Sequence, residues 1–359
     1  MSTKIRDWGV LAAVTFFSVA AVWIPTGMQR IYENYDGMYY LAVAKSWYDP
    51  EFIKWNFSFP LPLEYYTAHF PLYPLLINLA GLTGINGPAA MLMVNLAATI
   101  AGAILIYWIF DKYHWGEPLT VTLVWLFWWP RMWAVRSVGS PETLFILLTV
   151  GSLYFFGQKK YWLSGIAGAL AVLTKSPGIL LLFAYGLALT EKYIKTKSLE
   201  LKAYPILLIG LAIMGLFVFY GFKTGDFLAY FHSGDNIHLQ VLPFKIFDSS
   251  QPWVGDFWLE DVLWVYLAGI VGVYYAFKKS RVWGWFGTVF LASIFFVSHR
   301  DISRYSLPLI PVVLLGLSDI LKRREVKWVL AAMVIPLYFY TLNFVSHNYT
   351  AIADWAPFL

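Results

Sequence analysis

The chain contains no cysteine and little charge: Asp, Glu, Lys and Arg together make up 13% of its 359 residues. Without cysteine there is no disulfide, no thiolate metal site and no cysteine nucleophile, and cysteine usage leaves the compartment open. No Walker loop, GxSxG elbow, HExxH pair or GxGxxG ahead of a helix occurs, so nucleotide hydrolysis and zinc proteolysis have no sequence support. Internal repeats and low-complexity runs are also missing, and nothing suggests a division of residues 1–359 into more than one domain. The basic residues form short clusters instead of one stripe, which leaves nucleic acid no footprint. The first apolar stretch lacks a small-residue cleavage motif, so it reads as a retained span.

What fills the chain instead is apolar surface. Hydrophobic residues reach 59% and the mean hydropathy is +0.61, more than a soluble domain of this size could present to water. The expected fold is an all-α polytopic membrane protein. Its 18 Trp and 24 Tyr suit the membrane interface and also stack on sugar faces. A formal charge of +5 suits anionic membrane lipids.

Apolar runs place about eleven spans near residues 8–25, 88–110, 118–135, 141–157, 162–174, 177–190, 203–221, 261–277, 283–298, 306–321 and 327–343. The shorter piece from Phe70 to Gly84 carries Pro71, Pro74 and two glycines and reads as a juxtamembrane helix. With the N-terminus cytoplasmic, most of the 26 Lys and Arg fall inside and most of the 21 Asp and Glu outside. Two long connections, about 26–87 and 222–260, then lie on the outer face, where function is expected.

Tyr35-Asp36-Gly37-Met38-Tyr39-Tyr40 follows the first span and sets a carboxylate among aromatics. The spacing predicts an interfacial helix from Asp36 to about Trp47, with Asn34 as N-cap. Asp36 is then either a functional carboxylate or a capping residue. Ser140-Pro141-Glu142 puts a second carboxylate at an outer span end, where the helix dipole alone could also account for it. Lys175, at the turn Thr174-Lys175-Ser176-Pro177-Gly178, needs a carboxylate or a phosphate partner unless it snorkels. Arg300 and Arg304 in His299-Arg300-Asp301-Ile302-Ser303-Arg304-Tyr305 share a face if helical and could clasp one phosphate; an Asp301 to Arg304 pair is the structural alternative. His232 and His238, with Asp235 between them, do not have metal-ligand spacing on a helix.

These blocks, with His69-Phe70-Pro71-Leu72-Tyr73-Pro74 and Arg304-Tyr305-Ser306-Leu307-Pro308, resemble the integral-membrane glycosyltransferases of the GT-C superfamily. Within it the chain looks most like bacterial relatives of the second mannosyltransferase of GPI-anchor assembly, and the likeness runs to about residue 320. The resemblance implies an inverting transfer in which Asp36 acts as general base, with Glu142 as a second catalytic carboxylate. Lys175, Arg300 and Arg304 would bind the phosphate of a polyprenyl-phosphate-sugar donor, and Tyr35, Tyr39, His69, Tyr73 and Tyr305 would contact substrate. Pro141 and Lys175 depart from the family, which commonly has Ser and often has Arg at those places. The implied acceptor is a lipid, glycan or protein on the outer face of a prokaryotic cell membrane. No cofactor is required by the sequence, no metal-ligand set is assigned, and a divalent cation is compatible with the site. A lipid-sugar flippase is the competing class; the outer clustering of charge and the absence of paired broken helices weigh against it.

Overall fold

The computed structural model describes residues 3–59, 61–234, 238–250 and 259–359; Asp235 lies outside them. In chain order the helices are α1 (Thr3–Thr26), α2 (Met28–Tyr32), α3 (Gly37–Ser46), α4 (Pro50–Asn56), α5 (Leu72–Gly81), α6 (Gly87–Lys112), α7 (Pro118–Phe127), α8 (Pro130–Ser137) and α9 (Glu142–Gly157). They continue as α10 (Tyr161–Thr174), α11 (Leu180–Thr196), α12 (Leu208–Thr224), α13 (Leu259–Lys279), α14 (Arg281–Phe295), α15 (Ile302–Tyr305), α16 (Ile310–Leu317) and α17 (Arg324–His347). Short 3-10 turns join several of them, and the described residues carry only isolated β-bridges.

Each of the eleven expected spans coincides with helix, yet the lengths differ from expectation. Five helices are long and apolar enough to cross a membrane: Lys4–Thr26, Gly87–Lys112, Leu201–Thr224, Leu259–Lys279 and Arg324–His347. The pair α8 and α9 makes a sixth, bent by 110°. Others, among them α7, α10 and α14, are apolar helices of 10–17 residues. Backbone that is too short to cross alone survives at membrane depth only where neighbouring helices shield it, and α10, packed against both α9 and α12, has that surrounding. The expected span 118–135 is two helices instead of one. Pro130 lacks an N–H and drives Trp129 to an extended conformation (ψ 117°), which ends α7 and starts α8 in a new direction.

Close helix packing brings the charged segments into place. At the crossing of α13 and α16 a Cβ on Gly316 would collide with the carbonyl of Gly272, so neither residue can grow without parting the helices. The same packing holds α16, and the short α15 before it, against α13. The bend between α8 and α9 is held by Asn95 of α6, which is buried and donates to the carbonyls of Val135 (2.8 Å) and Val138 while accepting from the Thr143 hydroxyl. Beside it, a Cβ on Gly37 would stand 3.2 Å from Met91 and 3.3 Å from the Gly139 carbonyl, so glycine there lets α3 lie directly against the bend. The sequence segments around residues 36 and 142 therefore meet.

Candidate active site

A cavity of about 910 Å³ opens on this junction, lined by the first long connection, the turn after α10, the segment before α15 and the residues after α17. Pro25 and Gly27 (φ +83°) end α1 and turn the chain into α2. Tyr35 then takes a left-handed φ of +48°, a conformation that costs a non-glycine residue about 1 kcal/mol and survives where the surroundings over-determine it. Here they do: the Tyr35 hydroxyl accepts from Arg131 at 3.2 Å, and the ring lies against Phe344 and under the Arg304 guanidinium at 4.3 Å. The turn presents Asp36 as the N-cap of α3, one place before the helix.

Asp36 does not use its side chain as a cap. Its Oδ2 accepts from Arg304 Nη2 at 2.8 Å, and no other hydrogen bond to the carboxylate occurs among the described residues. The side chain remains 31% exposed, toward the cavity. Burial alone would raise its pKa, but the Arg304 guanidinium outweighs this and holds the carboxyl below its ordinary value, so it is ionised at neutral pH. The expected N-cap, Asn34, acts elsewhere, its Nδ2 donating to the carbonyls of Arg30 (3.0 Å) and Val345 (2.7 Å).

Behind Asp36 lies a chain of buried charge. Arg304, 6% exposed, donates from Nε to Glu142 Oε1 at 2.7 Å, and Lys175 Nζ reaches the same oxygen at 2.6 Å. The hydroxyl of Ser140 donates to the other oxygen of Glu142, whose side chain is 1% exposed. Two carboxylates and two cations thus balance, as buried charges must. The alternative Asp301 to Arg304 pair is not formed; Asp301 pairs with Arg131 at 3.1 Å. Arg300 precedes α15 instead of entering it, so it does not share a helical face with Arg304. It is exposed on the cavity wall and makes no ion pair among the described residues.

Of the residues singled out in the sequence, Tyr35, Asp36, Tyr39, His69, Lys175, Arg300, Arg304 and Tyr305 line the cavity. Glu142 stands behind it, and Tyr73 is fully buried with its hydroxyl donating to the Met91 carbonyl at 3.0 Å, outside the cavity lining. His69 is buried against Tyr39 and Tyr40, and burial pushes its pKa down to about 4, so it is neutral at pH 7. His238 stacks on His299 at 4.1 Å and both line the cavity, whereas His232 pairs with Asp226 outside the cavity lining. No group of three His, Asp or Glu that could hold a metal occurs among the described residues.

Sequence reasoning misses two contributors. It leaves Arg131 without a role, yet this residue ties Tyr35 to Asp301. Residues 347–350, at and just after the end of α17, line the cavity and are joined to the Asp36 turn by an antiparallel bridge from Asn34 to Tyr349. The aromatic at 349 is the signal that could have found them.

No protein-family model matches the chain, and no curated protein matches it. Among solved structures, ArnT from Cupriavidus metallidurans, bound to undecaprenyl phosphate, is similar with a TM-score of 0.60 at 12% identity, over 94% of this chain and 77% of ArnT. That likeness, with the apolar helices, establishes the fold: an all-helical integral membrane protein built like ArnT.

Proposed function

We propose that the chain is a glycosyltransferase that moves a hexose from a polyprenyl-phosphate carrier to a hydroxyl acceptor, with its site on the outer face of a prokaryotic cell membrane. The observation that carries this reading is Asp36: an ionised carboxylate, fixed by Arg304, facing a large cavity lined by both tyrosines and cations. The fold shared with ArnT, solved bound to undecaprenyl phosphate, supports a lipid phosphate as the donor's carrier. Mannose as the sugar rests on the motif resemblance.

In the proposed reaction the acceptor hydroxyl oxygen attacks the anomeric carbon while the bond from that carbon to the phosphate oxygen breaks, inverting the centre. The hydroxyl proton passes to Asp36, and the electron pair leaves with polyprenyl phosphate. Asp36 is a weak base, so its proton transfer comes late, when bond formation has made the hydroxyl acidic. The departing phosphate gains a negative charge and is a good leaving group, so it needs electrostatic stabilisation more than a general acid. Arg300 is uncommitted and supplies it; Lys175, 19% exposed, can lean from Glu142 toward the phosphate. Arg304 and Glu142 orient Asp36.

Purified protein supplied with polyprenyl-phosphate-mannose or polyprenyl-phosphate-glucose and a panel of lipid, glycan and peptide acceptors should form a glycoside of inverted configuration. Translocation of the lipid across a vesicle bilayer with no glycosyl transfer would instead identify a flippase.

A further inference from the structure

By their contacts, the residues that line the cavity form two chemically different groups, here called its walls. One carries the cations: Lys175, whose ammonium is 5.9 Å from the Tyr305 ring, and Arg300, next to His299, whose ring is 5.5 Å from Tyr305. The other is uncharged. Tyr39 packs on Tyr65 (5.4 Å) and His69 (5.4 Å), and Tyr349 and Thr350 line the same cavity.

Starting from the transferase reading, we infer that this uncharged wall is the acceptor subsite, and that Tyr349 and Thr350 determine specificity for a neutral carbohydrate hydroxyl. The wall is built, not incidental. Thr350 N donates to the Glu33 carbonyl at 3.0 Å, and Ile352 N donates to the buried Glu33 carboxylate at 3.3 Å, so the segment is pinned to the turn that carries Asp36. The Arg30 guanidinium lies 3.4 Å from the centre of the Tyr349 ring, fixing the ring from one face. Tyr349 is still 38% exposed, which leaves surface for stacking on a sugar. Neutral His69 is 3% exposed and packs against Tyr39 on this side of the cavity. Among the described residues this wall offers an anionic acceptor no free cation, since Arg30 is occupied with the Tyr349 ring and with Glu33 at 3.6 Å. A cationic amine would have to leave water for neutral groups, beside an Asp36 already paired with Arg304.

The test compares octyl mannoside and octyl glucoside with a Ser/Thr-containing peptide as acceptors, at varied acceptor and donor concentrations. Tyr349→Ala and Thr350→Val should raise KM for the alkyl glycoside by roughly 10-fold or more while the donor KM changes less than about 2-fold, because both residues belong to the acceptor side of the cavity and neither is placed at the donor phosphate. Tyr349→Phe should match the unsubstituted protein. Should Tyr349→Ala prove unstable, the Thr350→Val acceptor KM decides. Preference for the peptide, or an acceptor KM that does not move in either variant, overturns the inference. If the unsubstituted protein consumes no donor with any of these acceptors, the transferase reading falls first and takes the inference with it.

Discussion

Glu142→Gln separates a positioning carboxylate from a catalytic one. In the structure Glu142 accepts from Lys175 at 2.6 Å and Arg304 at 2.7 Å, is 1% exposed and does not line the cavity. Gln keeps the volume and one acceptor oxygen but leaves two cations opposite a single carboxylate, Asp36. Removing one partner from a buried ion pair costs on the order of 3 to 5 kcal/mol, much of it from the charge left unpaired. For a chain this long, at about 2 °C per kcal/mol, the melting temperature should fall by roughly 6 to 10 °C. Transfer should fall less than in Asp36 variants, because Arg304 still holds Asp36 at 2.8 Å. Glu142→Asp retains the charge and should recover most of the stability. The assay is thermal unfolding in detergent beside initial transfer rates on the same preparations. A Glu142→Gln protein that melts like the unsubstituted one and transfers no sugar would refute the positioning role and make Glu142 a chemical participant.

Other outcomes follow from the same geometry. Arg300→Ala should raise the donor KM by roughly 10- to 100-fold, the size of one charge-assisted contact, without lowering the melting temperature, whereas Lys175→Ala should lower both rate and stability because it also unpairs Glu142; equal stability of the two variants would contradict the division of roles. His69 is neutral when folded, with its pKa pushed by burial from 6.5 to about 4, so the unfolded chain binds more protons between those values and stability rises with pH through that window. Acidification from pH 7.5 to pH 5 should therefore remove about 2 kcal/mol that His69→Gln does not lose, read as the difference in their melting-temperature profiles. In this cysteine-free chain, His232→Cys should react with an impermeant maleimide from outside intact cells and Lys202→Cys should not; the reverse pattern would put the cavity on the other face.

Much of this is legible along the chain because it is local. Apolar runs locate the helices, and a carboxylate between tyrosines after the first span marks Asp36. What stays hidden is what joins distant segments. Arg304 meets Glu142 across 162 residues and Asp36 across 268, and Asn34 meets Val345 across 311, so no window of sequence contains both partners. Local reasoning accordingly assigns Asn34 to a cap and does not find the carboxylates that Arg304 pairs with. The helix break at Pro130 is hidden differently: apolar residues continue through it, and hydropathy does not register a change of direction. Glu142 and Lys175 each need a partner, since an unpaired charge at a span end is costly, but cost alone does not say that they pair with one another.

The central claim is that Asp36 takes the acceptor proton, and Asp36→Asn tests it most directly. Asn preserves shape and is itself a good N-cap, so a residue that only capped α3 would tolerate it. The substitution removes charge and basicity while Arg304 keeps its bond to Glu142. With polyprenyl-phosphate-sugar as donor, Asp36→Asn should still bind the donor, with transfer falling by roughly 100-fold or more. Near-normal transfer by folded Asp36→Asn protein would contradict the account.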